Sequence, residues 1–153
     1  MNIAFFLTPK KEVVWLPAEA TLAHAIEILR PHRYSAVPVL DRDGSYAGTL
    51  TEGDILWHVL ASGGSGFGAS EAAPPALHNV LVGAVPRRTR NCAVRIDAEI
   101  ETFVLRAMHQ NFVPVVDDRE VFIGIVRRQH IIEHCAHQAG IVSDRVLHRP
   151  MKT

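Results

Sequence analysis

Cysteine is scarce in this chain. Cys92 and Cys135 are the only two among 153 residues, both in the second half. A small oxidised scaffold carries more, so the core must hold without a disulfide framework and the chain suits a reducing compartment. Net charge is lacking too: sixteen basic and sixteen acidic side chains cancel, which removes any global field favouring nucleic acid or a membrane surface. No apolar run approaches the length of a membrane span. The few apolar residues between Met1 and Leu7 have no basic flank, so they do not read as a signal peptide. These absences together predict a cytoplasmic protein whose partners include neither nucleic acid nor membrane. Arg87-Arg88-Thr89-Arg90 has no interleaved aromatic residues, and reads as a solvated loop or a phosphate-facing edge.

What is present suffices for one compact domain. A chain of this length buries roughly 70% of its unfolded surface, and 48% of its residues are apolar. It also repeats itself. Ala36-Val37-Pro38-Val39-Leu40-Asp41 recurs as Phe112-Val113-Pro114-Val115-Val116-Asp117, an offset of 114 − 38 = 76. The same offset carries Gly48 to Gly124 and Ile55, Leu56, Val59 and Leu60 to Ile131, Ile132, Cys135 and Ala136. Upstream, Leu22, Ile26 and Leu29 match Ile100, Val104 and Ala107 at an offset of 78. Hydrophobic pattern, punctuation and a mid-strand proline recurring in one order mark two copies of one unit.

Each copy reads as β-α-β-β-α. In the first, Val13–Leu16 is a short strand and Thr21–Arg30 a helix stopped by Pro31. Ala36–Leu40 and Tyr46–Leu50 form a hairpin around the turn-rich Asp41–Ser45, and a second helix starts at Glu52. The second copy runs strand Ala93–Ile96, helix Glu99–His109, strands Phe112–Val116 and Val121–Val126, and helix Arg127–Ala139. Leu77–Val85 reads as a short helix on the core. The division is a first repeat with its N-terminal lead-in at 1–60, a flexible Gly/Ser/Ala/Pro linker at 61–78, a second repeat at 79–139 and a polar tail at 140–153. The fold class is α+β. One such unit buries too little to stand alone, so two are expected to pack sheet to sheet about a pseudo-twofold axis, with a crevice lined by both.

The chemistry concentrates where the first hairpin meets its helix. Thr51 followed three residues later by Asp54 fits a capping box, and a helix start behind a strand presents N–H groups to an anion. With the β-α-β-β-α repeat and the run Tyr34-Ser35-Ala36-Val37-Pro38-Val39-Leu40-Asp41, this motif resembles the cystathionine-β-synthase (CBS) domain pair, or Bateman module, from about Thr8 to His137. The resemblance implies a regulatory, non-catalytic module without a cofactor, binding AMP, ADP or ATP in the inter-repeat crevice. It implies that Asp54 bonds the ribose hydroxyls, that Thr51 holds phosphate or ribose, and that the segments around Val14 and Tyr34, Ser35, Ala36 and Pro38 hold the base. It also implies a flat homodimer through the second helices, signalling to a partner enzyme or transporter. Phe122-Ile123-Gly124-Ile125-Val126-Arg127-Arg128 is similar to stand-alone bacterial pairs that bind cyclic di-AMP, which adds that ligand.

The second copy departs from the first. Arg127 and His130 stand where Thr51 and Asp54 stood, so a single mononucleotide site is expected, built from Thr51 and Asp54 with Arg127 or Arg128 across the crevice. Two rival readings remain. His130-Ile131-Ile132-Glu133-His134 fits the H-x-x-E-H pattern of inverted zinc proteases, but its apolar positions match those of the first copy's helix, which already explains it. An interaction adaptor without a ligand would instead use Ile55, Trp57 and Ile132 to meet its partner.

Overall fold

The computed structural model describes residues 3–62 and 75–141. Two sheets organise them. In the first repeat, β2 (Leu16–Pro17) lies parallel to β3 (Ala36–Leu40), which pairs antiparallel with β4 (Tyr46–Thr51). In the second, β5 (Val94–Arg95), β6 (Phe112–Val116) and β7 (Phe122–Arg127) repeat that arrangement. Both hairpins break register at the same place, between Val39 and Leu40 and between Val115 and Val116. Pro38 and Pro114 stand one residue before the parallel partner begins at Val39 and Val115. On that side a missing N–H interrupts no ladder, which is how a proline survives in a middle strand.

Helices α1 (Leu22–His32), α2 (Glu52–Ala61), α3 (Ile100–Ala107) and α4 (Arg128–Gln138) complete the two β-α-β-β-α units. Thr21 caps α1 by accepting the His24 N–H at 3.2 Å. The helix runs through Pro31 to His32 rather than stopping before the proline. In the last turn the ring costs a single backbone bond, and Arg33 then ends the helix in the left-handed conformation (φ 53°). The helix expected over Leu77–Val85 is instead two 3-10 turns, Pro75–Asn79 and Val82–Ala84. Its backbone is spent on the first repeat: Val82 and Gly83 donate to the carbonyls of Ala20 and Ala18, and the Val80 carbonyl accepts from Leu22.

The lead-ins are exchanged between the repeats. β1 (Leu7–Pro9), at the start of the first, pairs antiparallel with β7, giving the second sheet the order β1-β7-β6-β5. Ile3 is buried in the core of the second repeat with Phe103, Val113 and Val126. Conversely Leu77, Val82 and Val85, which precede the second repeat, are buried in the core of the first. A third cluster joins the units: Leu40, Phe112, Phe122 and Ile125, with Val13, Ala36 and Tyr46 packed on it. Ser45 bridges Val121, and Phe122 donates its N–H to the Gly44 carbonyl at 3.0 Å. Among the described residues no helix is long and apolar enough to cross a membrane. Most of the predicted linker (63–74) and of the polar tail (142–153) lies outside the described residues.

Candidate functional site

The inter-repeat surface holds two crevices, because each lead-in crosses to cover the other unit's hairpin. The first encloses about 260 Å³. Val14 comes from the segment after β1, Tyr34 to Pro38 from the entry to β3, and Arg127 and Gln129 from the junction of β7 and α4. Phe112 and Ile125 close it from the second repeat. Apolar walls with a few convergent polar groups suit a planar heterocycle carrying a polar or anionic substituent. Tyr34 stacks on His32 with ring centroids 5.1 Å apart, so the entrance wall carries a pre-ordered aromatic face.

The second crevice occupies the equivalent position around β4 and is polar. A cavity of about 190 Å³ is bordered by Thr49, Thr51, Thr89, Asn91, Gln110 and Asn111. A neighbouring chamber of about 410 Å³ shares Thr49, Thr89 and Asn91 and adds Tyr46, Arg87 and Arg90. Ala36, Asn111 and Phe112 border the first crevice and the 190 Å³ cavity alike, and so form the wall between them. Burial pushes the Tyr46 phenol up to about 12, against a lowering hydrogen bond with Thr49. That phenol donates to the Asn91 carbonyl at 3.0 Å.

The residues expected to form one site are therefore divided. Val14, Tyr34, Ser35, Ala36, Pro38 and Arg127 line the first crevice, whereas Thr51 lines the second. Asp54 is only 2% exposed, and both its oxygens accept internal bonds. Oδ2 takes the Thr51 N–H at 2.9 Å, while Thr51 Oγ1 accepts the Asp54 N–H at 3.1 Å: the capping box is formed. Oδ1 takes the backbone N–H of Arg88 at 2.9 Å. The carboxylate therefore anchors the segment leading into the second repeat. Arg88 then lays its guanidinium over the Trp57 ring, 4.8 Å from the centroid.

Arg128 also turns inward. Its Nε donates to the Gln110 carbonyl at 2.9 Å and its Nη2 to Asn111 Oδ1 at 3.0 Å, bolting α4 to the loop before β6. His130, in the position of Asp54, does not replace it as a cap: α4 has no side-chain cap bond, and His130 Nδ1 is buried without a partner. His134 packs its ring against Phe6, centroids 5.4 Å apart. Among the described residues no group of three or more His, Cys, Asp or Glu side chains is placed to hold a metal ion.

Gln110, Asn111 and Asn91 were not singled out by the sequence, and Thr89 was noted only within Arg87-Arg88-Thr89-Arg90. Gln110 is 5% exposed and clamps the main chain of Cys92, accepting its N–H at 3.0 Å and donating to its carbonyl at 3.2 Å. Asn111 had a legible signal, since it lies 76 residues after Ser35. Its Nδ2 reaches Ser35 Oγ at 3.4 Å across the dividing wall.

A family model described as CBS domain matches residues 6–61 and 82–137. A search of curated proteins returns no match. Among solved structures, a CBS domain protein from Streptococcus pneumoniae TIGR4 superposes with TM-score 0.76 at 23% identity, covering 93% of this chain and 90% of that one. CbpB from Listeria monocytogenes, solved in complex with c-di-AMP, gives TM-score 0.73 at 22% identity, with 93% and 100% covered. CBSX2, solved in complex with AMP, gives TM-score 0.65 at 19% identity over 90% and 98%. With both halves matched and the β-α-β-β-α unit built twice, the chain belongs to the CBS domain family as a paired module.

Proposed function

We propose that the chain is a cytoplasmic, non-catalytic module that senses an adenine nucleotide and signals to a partner protein. One observation carries this reading: the first crevice brings Val14 and Tyr34 to Pro38, an apolar slot for a base, together with the guanidinium-bearing Arg127. Apolar walls hold the ring, and a cation on the opposite repeat meets the phosphate. The complexes of CbpB with c-di-AMP and of CBSX2 with AMP support adenine nucleotides as the ligand class. Bridging the two repeats gives such a ligand a grip on their relative placement, the element a partner would read.

The test is a thermal-shift panel of AMP, ADP, ATP, cyclic di-AMP and guanine nucleotides, followed by calorimetry on Arg127→Ala. A ligand selective for the folded state stabilises it by about 2.7 kcal/mol at a hundredfold excess over its Kd. Losing a hydrogen bond to a charged group should weaken binding by about 1.5–3 kcal/mol. If no nucleotide shifts the transition, the chain is a ligand-free adaptor. Undiminished affinity in Arg127→Ala would remove the site from the first crevice.

The helical faces supply the second part of the proposal. Leu56, Trp57 and Leu60 on α2 and Ile132 on α4 are between 42% and 57% exposed, more apolar surface than one chain's core employs. We assign these faces to a second copy in a twofold homodimer. Light scattering should give the mass of two chains, and Leu56→Glu with Ile132→Glu should give one. A monomer before substitution would reject the assignment.

A further inference from the structure

The helix pairs of the two repeats leave equivalent grooves whose walls differ. Between α1 and α2 a groove of about 640 Å³ is bordered by Arg30, Arg33 and Glu52 as well as by apolar groups. Between α3 and α4 a groove of about 620 Å³ takes its place in the second repeat. There Met108 stands for Arg30 (108 − 30 = 78) and Arg128 for Glu52 (128 − 52 = 76). Among the described residues lining it, Arg128 is the one that is charged, and that guanidinium is bonded to the Gln110 carbonyl and to Asn111 Oδ1. Met108, Ile132 and Ile141 on its walls are each more than half exposed. An apolar trough of this size without a charged rim marks a surface that something covers.

The chain itself turns onto this groove. Gly140 takes the left-handed conformation (φ 67°) and ends α4. Its N–H donates to the His137 carbonyl at 3.0 Å, and the Ile141 N–H donates to the Ala136 carbonyl at 2.9 Å. This is a Schellman ending, which reverses the chain and brings the residue after the glycine against the last turns of the helix. Ile141, the last described residue, is one of those lining the groove. The sequence beyond it is polar overall but begins apolar, with Val142, Val146 and Leu147 among the next six residues. Six residues reach about 20 Å when extended, whereas α4, at eleven residues, is about 16 Å long. Covalent attachment also presents this segment to the groove at a high effective concentration.

We propose that residues 142–147 dock in the α3–α4 groove of their own chain, with Val146 and Leu147 as anchors, and close the apolar face of the second repeat. Leu56, Trp57 and Leu60 lie on α2, in the other repeat, and stay open to a second copy; Ile132 is the residue that both covers claim. Cys135 lines the groove and is exposed there, so its reactivity reports the cover. In full-length Cys92→Ser protein it is the only thiol. Its rate of alkylation by N-ethylmaleimide is measured at several protein concentrations, with light scattering alongside. Val146→Asp combined with Leu147→Asp should speed the reaction by roughly threefold to thirtyfold, because burial of two aliphatic side chains is largely offset by the entropy of ordering the segment. A carboxylate near a thiol raises its pKa and slows alkylation, so a faster rate reports uncovering. Gly140→Val should act in the same direction. A Cβ there meets nothing within 4 Å, and valine holds the left-handed turn only under strain. Acceleration by both changes, at unchanged mass and at every concentration, supports the proposal. Equal rates in the parent and the Val146→Asp, Leu147→Asp protein overturn it. So does protection that disappears on dilution, or a mass that falls from two chains to one when the tail is substituted, since either makes a second copy the occupant. None of these outcomes involves a nucleotide.

Discussion

Gly124→Ala is expected to destabilise the folded chain by about 2–4 kcal/mol. A Cβ at this position would press on the carbonyl oxygen of Thr8 and stand 2.9 Å from Leu7 Cδ1. The obstacle is main chain held in a ladder, with Pro9 opposite Gly124, so it can yield only if β1 moves off β7. Overpacking of this kind costs about 1–3 kcal/mol. Displacing β1 also loosens Ile3, 2% exposed in the core of the second repeat, where full burial is worth about 1.5–3 kcal/mol. Gly48 occupies the same place in the first repeat but is constrained differently. Its added Cβ would meet nothing nearer than 3.8 Å, and the cost there comes from its φ of +146°. Urea unfolding should therefore show a large loss for Gly124→Ala, with early proteolysis of the first dozen residues. A loss under about 0.5 kcal/mol, the size of an ordinary surface change, would mean that β1 is not held against β7.

That pair of glycines shows what the sequence could and could not disclose. The repeat itself was legible because its markers are local: a proline inside an apolar strand, a glycine in the returning strand, and helical stripes at a fixed offset. Those markers retain their spacing in the structure, down to the break in register between Val39 and Leu40 and between Val115 and Val116. The exchange of lead-ins was not legible. Leu7–Pro9 is three residues long, too short for a period, and its partner β7 lies more than a hundred residues away. Only the tertiary arrangement says which hairpin it covers.

The same exchange explains the division of the predicted site. Ala36 is the cross-strand partner of Thr51, so placing Thr51 beside the Tyr34–Pro38 segment was sound as a statement of distance. Which crevice each residue faces depends on the segment lying over it. The chain after β1 brings Val14 to one crevice, and the chain before β5 brings Thr89 and Asn91 to the other. Asp54 was legible as a cap, since Thr51-x-x-Asp54 is a local pattern. Its bond to the Arg88 N–H, 34 residues away, was not.

Asp54→Ala should therefore show its main effect without any nucleotide present. The substitution removes the acceptor for two backbone donors, Thr51 N–H and Arg88 N–H, each bonded at 2.9 Å. Losing half of a capping box costs about 1 kcal/mol. Leaving a buried N–H without a partner adds about 1–3 kcal/mol, and Asp54 is 2% exposed, so water does not readily replace the carboxylate. The sum is about 2–4 kcal/mol, and at roughly 2–4 °C per kcal/mol for a chain of this size the midpoint should fall by about 4–16 °C. Asp54→Asn keeps one acceptor oxygen and should lose about half as much. Hydrogen exchange gives the more specific signature: in Asp54→Ala the amide of Arg88 and its neighbours should exchange faster, while those of β6 and β7 keep their protection. His130→Ala makes the contrast, since no bond to His130 Nδ1 exists to be lost. An Asp54→Ala protein of unchanged ligand-free stability, defective only in nucleotide binding, would show that the carboxylate serves a ligand and does not anchor the chain.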